Sequence, residues 1–189
     1  LLAAIGLYGV IAYAVGQLLG GLVPRVELAD LKDGEGSVMA WVDGALAEEL
    51  ENSIMFQRMA DNPEARKRLY RMIIMDSILG NTDRHSRNWI IDAEGLPWAI
   101  DNGFAFHSTP ELYLHWPMRQ LLGDLVRLRK THVFEEFMGE INGIIEKLPQ
   151  INQLLPRKNQ VTQGWLGSNL PEELADAVPD LRKPLKERP

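Results

Sequence analysis

The sequence predicts an α+β fold, mostly helical, with a short β-hairpin set among the helices. Three observations carry that prediction. Apolar residues recur at spacings of three and four through 45–60, 62–78, 111–130 and 133–148, the period of a helix with one buried face. Two β-prone runs, Trp89-Ile90-Ile91 and Leu96-Pro97-Trp98-Ala99-Ile100, flank the turn formers Asp92-Ala93-Glu94-Gly95. The chain has 189 residues, 46% hydrophobic and 24% charged, enough for one globular domain with a sizeable core.

Residues 1–24 carry no charge, and Gln17 is their one strongly polar side chain. A run of this length can span a bilayer as a helix, and Gly16 to Gly20 fits the small-x-x-x-small spacing of packed membrane helices. Five glycines weaken such a helix, and no basic residue precedes it as a secretory leader requires. Ala29 to Ser37 reads as a charged turn region, and Val38 to Val42 as a short apolar strand. Ala45 to Ala60 reads as a helix, with Leu46, Leu50 and Ile54 spaced by four. Asn62-Pro63-Glu64 opens the next helix: Asn caps, Pro fits the first turn, and Glu suits the positive end. Its apolar face is Leu69, Ile73, Ile74, Ser77 and Ile78.

Beyond the hairpin, Asn102-Gly103 turns the chain away. Glu111 to Lys130 follows a helical pattern through Leu121, Leu122, Leu125 and Leu128. Val133 to Leu148 repeats it with Phe134, Phe137, Ile141, Ile144 and Ile145. From Pro149 the chain loosens: Gln150 to Gly167 is polar, a short helix runs from Leu170 to near Val178, and 179–189 read as a flexible tail.

The residues with the strongest chemistry sit around the hairpin. Asp83 lies in a loop of turn formers, Asn88 follows five residues later, and Asp101 follows Asp83 by eighteen. A hairpin brings Asp101 back beside Asn88, so two oxygen ligands on adjoining strand ends can grip one hard cation. Phosphoryl transfer needs such a set: a carboxylate for the attacking hydroxyl, and an amide plus a second carboxylate for Mg²⁺ on the phosphates.

Gly80-Asn81-Thr82-Asp83-Arg84-His85-Ser86-Arg87-Asn88, followed by Asp101-Asn102-Gly103, resembles the catalytic and metal-binding loops of atypical kinases. The relatives are the phosphatidylinositol 3-/4-kinase superfamily, the HipA-like serine/threonine kinases and the secretory-pathway kinases. The resemblance is firm from Arg71 to Phe106 and looser from Tyr13 to Trp41. It implies that Asp83 is the catalytic aspartate, that Asn88 and Asp101 hold Mg²⁺, and that Asn81, Arg84, His85 and Gly103 shape the loops. It places Trp41 to Asp43 at the link between lobes, with Trp41 a contact for adenine. Residues 1–24 then become a buried helix followed by a strand over Leu22 to Val26. The implied architecture is a kinase-like C-terminal lobe. Residues 1–44 would be a remnant of the small lobe and the link, 45–150 the C-lobe, and 151–189 a loosely packed extension.

That family also clamps ATP with a glycine-rich strand pair and a lysine paired to a helical glutamate. The first lysine here is Lys32, no such strand pair precedes it, and Gly9 or a neighbour occupies the place of the glutamate. With Leu1 in place of Met, the chain reads as a fragment: a large lobe without the clamp.

Composition excludes other chemistry. There is no cysteine, so disulfides, thiolate catalysis and cysteine zinc sites are ruled out. The four histidines, His85, His107, His115 and His132, do not pair at zinc-ligand spacing. A net charge of −6 argues against nucleic acid as a partner. The basic run Arg119, Arg127, Arg129 and Lys130 reads as a solvated helix face, with an anionic substrate or lipid head group as its alternative.

The expected function is therefore Mg²⁺- and ATP-dependent phosphotransfer, in the cytoplasm, to a hydroxyl of a protein Ser/Thr or an inositol lipid. Residues 1–24 offer a contact with the membrane. The alternatives are a pseudokinase that binds nucleotide without catalysis, a membrane-anchored interaction protein, and an enzyme that transfers AMP in place of phosphate.

Overall fold

A computed structural model describes residues 2–32, 34–50, 61–106, 131–155 and 160 of the chain. Its elements are α1 (Leu2–Leu18), β1 (Val26–Leu31), β2 (Gly34–Met39), β3 (Gly44–Leu46), a 3-10 turn (Ala47–Glu49), α2 (Pro63–Leu79), β4 (Trp89–Asp92), β5 (Pro97–Ala99) and α3 (Thr131–Leu154). The strands form an antiparallel β1–β2 pair and a three-stranded sheet in the order β3-β4-β5. The class is α+β, with three helices and two small sheets among the described residues; of the stretches whose periodicity predicts a helix, 62–78 is helical from Pro63 and 133–148 throughout.

Helix α2 is the central post. Asn62 caps it, its Oδ1 accepting from the amides of Glu64 and Ala65 at 3.0 and 3.2 Å, and Pro63 opens the first turn. Gly80, at φ 59°, ends it in the left-handed conformation that glycine adopts without a Cβ penalty. The predicted face of Leu69, Ile73, Ile74, Ser77 and Ile78 is buried, and so are Tyr70, Met72 and Met75 on the flanks. Burial pushes the Tyr70 phenol above its ordinary pKa, and its ring meets Phe137 edge-on at 5.2 Å.

Helix α1 packs on α2 and α3 and puts Ala12 and Val15 into the core, with Leu19 buried just beyond its end. Among the described residues no helix is long and apolar enough to cross a membrane. The chain reverses through Gly20 (φ 98°) and Gly21 (φ 75°), and the amides of Gly21 and Leu22 return to the Gly16 carbonyl at 2.9 and 3.2 Å. Arg68 of α2 secures this reversal. Its Nη2 donates to the Gly21 carbonyl at 2.7 Å, its Nε to the Pro97 carbonyl at 3.2 Å, and its guanidinium lies 4.4 Å over the Trp98 ring.

Several elements differ from the sequence expectation. The strand predicted over Leu22 to Val26 begins only at Val26: Leu22, Val23 and Pro24 are buried outside the ladder, though the Leu22 carbonyl accepts from the Ala99 amide at 2.9 Å. Ala29 to Ser37 is a hairpin paired from Val26↔Met39 to Leu31↔Gly34, not a turn region. Pairing and the support of α1 override the turn propensity of its Asp and Gly residues. The strand predicted over Val38 to Val42 stops at Met39.

The helix predicted from Ala45 starts instead as β3, pairing Gly44↔Asp92 to Leu46↔Ile90, and continues as the 3-10 turn. The reason is Gly44, which lets the two backbones close: a Cβ there would lie 2.4 Å from the Ile91 carbonyl oxygen. Helix α3 runs through Pro149 to Leu154, where loosening was expected. Pro149 is on the exposed side, where water can serve the carbonyl it leaves unpaired, while Leu148, Ile151 and Leu155 are buried.

Ion pairs join α2 to α3: Arg66 to Glu136 at 3.1 Å and Arg71 to Glu140 at 2.5 Å. Lys147 Nζ donates to the Leu18 carbonyl at the end of α1 at 2.6 Å. The remaining predicted features lie outside the described residues. They are residues 51–60 of the first helix, His107, His115, the Glu111 to Lys130 helix with its basic residues, the Leu170 to Val178 helix and the tail.

Gly44→Ala tests the close approach. The added methyl forces β3 from β4, and the expected loss is about 1–3 kcal/mol in urea unfolding; an unchanged midpoint would show that β3 does not depend on it.

Candidate active site

The loop after α2 is organised around one guanidinium. Arg84 and Asp76 are each 2% exposed. Arg84 Nε donates to Asp76 Oδ2 at 2.9 Å, and Nη2 to Oδ1 at 2.9 Å. Nη1 donates to the carbonyls of Asn88 and Ile100 at 2.5 and 2.6 Å, and Nη2 also to Asn102 Oδ1 at 2.5 Å. All of the N–H groups of the fork are thereby matched. A buried ion pair repays its desolvation only when its remaining hydrogen bonds are also made, and here they are.

Asp76 extends the network. Its Oδ1 accepts from Asn81 Nδ2 at 3.1 Å, and Asn81 Oδ1 accepts from the Asp83 amide at 3.1 Å. The end of α2 thus sets the backbone of Asp83 through a fully buried asparagine. Asn88 then meets Asp83 directly: its Nδ2 donates to the Asp83 carbonyl at 2.7 Å and to Oδ2 at 3.2 Å. With Nδ2 committed there, Oδ1 is the atom Asn88 has for a cation. The Asp83 side chain keeps 37% exposure, enough to meet a ligand.

His85 stands beside this carboxylate, its Nε2 3.8 Å from Asp83 Oδ2. The Arg87 amide donates to His85 Nδ1 at 3.1 Å, so the neutral ring carries its proton on Nε2, toward Asp83. Arg87 itself pairs with Glu48 of the 3-10 turn, and the Glu48 amide donates to the Ser86 carbonyl. The side-chain hydrogen bond from Arg87 Nε to the Glu48 carboxylate holds that carboxyl below its ordinary pKa and raises the Arg87 guanidinium.

The hairpin forms as predicted, pairing Trp89↔Ala99, Ile90↔Trp98 and Ile91↔Pro97. The Ile100 amide continues it with a 3.0 Å bond to the Asn88 carbonyl, which puts Asp101 one residue beyond Asn88 across the strands. Asp101 has φ 48°, is exposed, and accepts from the Gly103 amide at 3.3 Å. Asn102 is buried against Arg84, so the turn that carries Asp101 is anchored on the guanidinium that also anchors the Asn88 backbone.

The structure therefore brings Asp83, Asn88 and the Asp101 turn together. Asn81 and Arg84 hold their backbones, and Gly103 closes the turn. Trp41 stands apart from this network, 89% exposed in the irregular segment between β2 and β3. Among the described residues no group of three His, Cys, Asp or Glu side chains is arranged to hold a metal ion. The donors here are instead an amide oxygen and one carboxylate, a hard oxygen set that suits Mg²⁺ completed by phosphate and water.

Asp76 was missed by the sequence reading. The signal was present: a carboxylate between Ile73, Ile74 and Ile78 on an otherwise apolar helix must be buried, and a buried carboxylate needs a partner. Asn102, a turn former by its sequence, also accepts from the Arg84 guanidinium.

Comparison with known proteins adds one match. The family model for phosphatidylinositol 3- and 4-kinase matches residues 64–158, which is 95 of the 189 residues. That span holds α2 from its second residue, the Asp83 loop, the hairpin, the Asp101 turn and α3. A search of curated proteins found no match.

Breaking the Asp76–Arg84 pair tests its role. Asp76→Leu leaves an uncompensated buried guanidinium, and the expected loss of stability is about 3–5 kcal/mol by denaturant unfolding. Asp76→Leu combined with Arg84→Met is expected to lose less than Asp76→Leu alone; additive losses would show that the two residues do not act as a pair.

Proposed function

We propose that this chain, which belongs to the phosphatidylinositol 3- and 4-kinase family, is the large-lobe part of a phosphotransferase that moves the ATP γ-phosphoryl to a hydroxyl. The observation that carries the reading is the joining of three functional groups by one network. Asn88 Nδ2 binds Asp83 at 2.7 and 3.2 Å, and Arg84 ties the Asn88 carbonyl to Asn102 beside Asp101.

Asp83 is the group that receives or orients the acceptor hydroxyl. Its Oδ2 is held by Asn88, and its exposed side faces outward for substrate. Asn88 Oδ1 and the Asp101 carboxylate are the groups that would hold Mg²⁺. When bound, Mg²⁺ supplies neutralisation of phosphate charge as it shifts toward the leaving group. The protein's own contribution is rigidity: fixed backbones at Asp83, Asn88 and Asn102 lessen the reorganisation needed in the transition state. The acceptor is a Ser/Thr hydroxyl, as in HipA-like kinases, or an inositol-lipid hydroxyl, as the matched family's name implies. We assign residues 45–150 to the catalytic lobe, 1–44 to the small-lobe remnant and the link, with Trp41 as an adenine contact, and 151–189 to an extension. The proposed location is the cytoplasm.

Thermal unfolding with ATP in Mg²⁺ and in EDTA tests the site. Saturation at 100-fold the dissociation constant is expected to add about 2.7 kcal/mol in Mg²⁺ alone. Asp101→Ala is expected to remove that gain. In a preparation that turns over, Asp83→Asn is expected to keep it while lowering transfer roughly 10²–10⁴-fold. Binding without transfer in the complete protein would replace the enzyme with a nucleotide-binding module. Full activity in both variants would refute the site.

A further inference from the structure

The turn after Asp101 holds two non-glycine residues at positive φ, Asp101 at 48° and Phe106 at 66°. A bulky residue such as Phe reaches that region only when its surroundings hold it there. Three contacts do so. Arg84 grips Asn102 Oδ1, the Phe106 amide donates to the Leu79 carbonyl at the end of α2 at 2.6 Å, and the Ala105 amide closes on the Asn102 carbonyl at 3.1 Å. These are backbone and polar ties. The Phe106 side chain is held from another element: its ring lies 5.2 Å from the Tyr8 ring of α1, tilted by 55°.

Helix α1 is placed to make this contact matter. One residue along, Gly9 faces the β1–β2 hairpin, where an added Cβ would lie 3.8 Å from Ser37 Oγ and 4.0 Å from Val26 Cγ1. The same helix packs on α2 and α3. It therefore lies between the hairpin and the Asp101 turn, touching the hairpin at Gly9 and the turn at Tyr8.

We propose that Tyr8 is a positioning residue for Asp101: its ring holds Phe106 in the left-handed conformation that closes the turn carrying the metal-binding carboxylate. This rests on the reading of Asp101 as a Mg²⁺ ligand. Tyr8 touches no reacting atom in this scheme. It couples the placement of α1 to that of Asp101, so loss of the Tyr8 ring loosens the turn that carries the carboxylate.

Hydrogen–deuterium exchange of the whole chain, with calorimetry of ATP binding in Mg²⁺ and in EDTA, tests the coupling. In Tyr8→Ala the amides of Gly103, Ala105 and Phe106 are expected to exchange faster, while those of β4 and β5 keep the wild-type rate. Mg²⁺-ATP affinity is expected to fall about tenfold, as it does when a supporting group behind a metal ligand is lost. Tyr8→Phe, which keeps the ring, is expected to restore both. Should Tyr8→Ala unfold, Tyr8→Leu, which keeps apolar volume but no ring, is read in the same way. Unchanged exchange and affinity in a folded variant would overturn the proposal, as would an even rise over α1, α2 and the turn, which marks general destabilisation. A wild-type chain without Mg²⁺-dependent ATP binding would refute the site reading itself; wild-type binding that Tyr8→Ala leaves intact would refute the coupling alone.

Discussion

The buried pair of Arg84 and Asp76 is the constraint on which the candidate site depends. A guanidinium taken out of water is costly unless all of its donors are met. Meeting them here requires five acceptors from four places: the end of α2, the Asn88 carbonyl, the Ile100 carbonyl and Asn102. The arrangement is therefore all or nothing. Once α2 presents Asp76, the loop, both strand ends of the hairpin and the Asp101 turn have one geometry in which the charge is fully matched. The side chains of the candidate site inherit their positions from that requirement.

The rest of the fold serves to keep α2 where the pair needs it. Its arginines are divided among neighbours. Arg66 and Arg71 reach the glutamates of α3, and Arg68 crosses to the Gly20–Gly21 reversal and the Trp98 ring. Most of its other side chains are buried. A helix held on all sides can present one rigid end, and that end carries Asp76, the Gly80 cap and the Leu79 carbonyl that receives Phe106. Packing and chemistry are linked through this last turn: the same residues that finish the helix begin the site.

The legibility of the sequence followed the range of the interactions. The start of α2 was readable because Asn62 and Pro63 act within one turn of themselves, whereas its end at the Gly80 cap is a finding of the structure. The hairpin was readable because β-prone runs flank a turn whose Asp92 accepts from the Leu96 amide at 2.7 Å and from Trp98 Nε1 at 2.7 Å. β3 was not readable. Its apolar spacing fits a helix, and only the partner strand, approached through Gly44, makes it extended. The passage of α3 through Pro149 was hidden for the same reason, since the packing of Leu148 and Ile151 lies outside any local rule.

The sequence by itself determined the chemistry: which carboxylates and amide stand at which spacing, that no cysteine is available, and that a hairpin returns Asp101 to Asn88. Local propensities and covalent order suffice for those, because each depends on residues a few positions apart. Only the tertiary structure decided what holds that chemistry in place. It made Asp76 the partner of Arg84 and put Tyr8 against Phe106. It also turned the residues after Asp43 into a strand. These are contacts between distant segments whose energy comes from burial and charge matching, and neither exists until the chain has closed around α2.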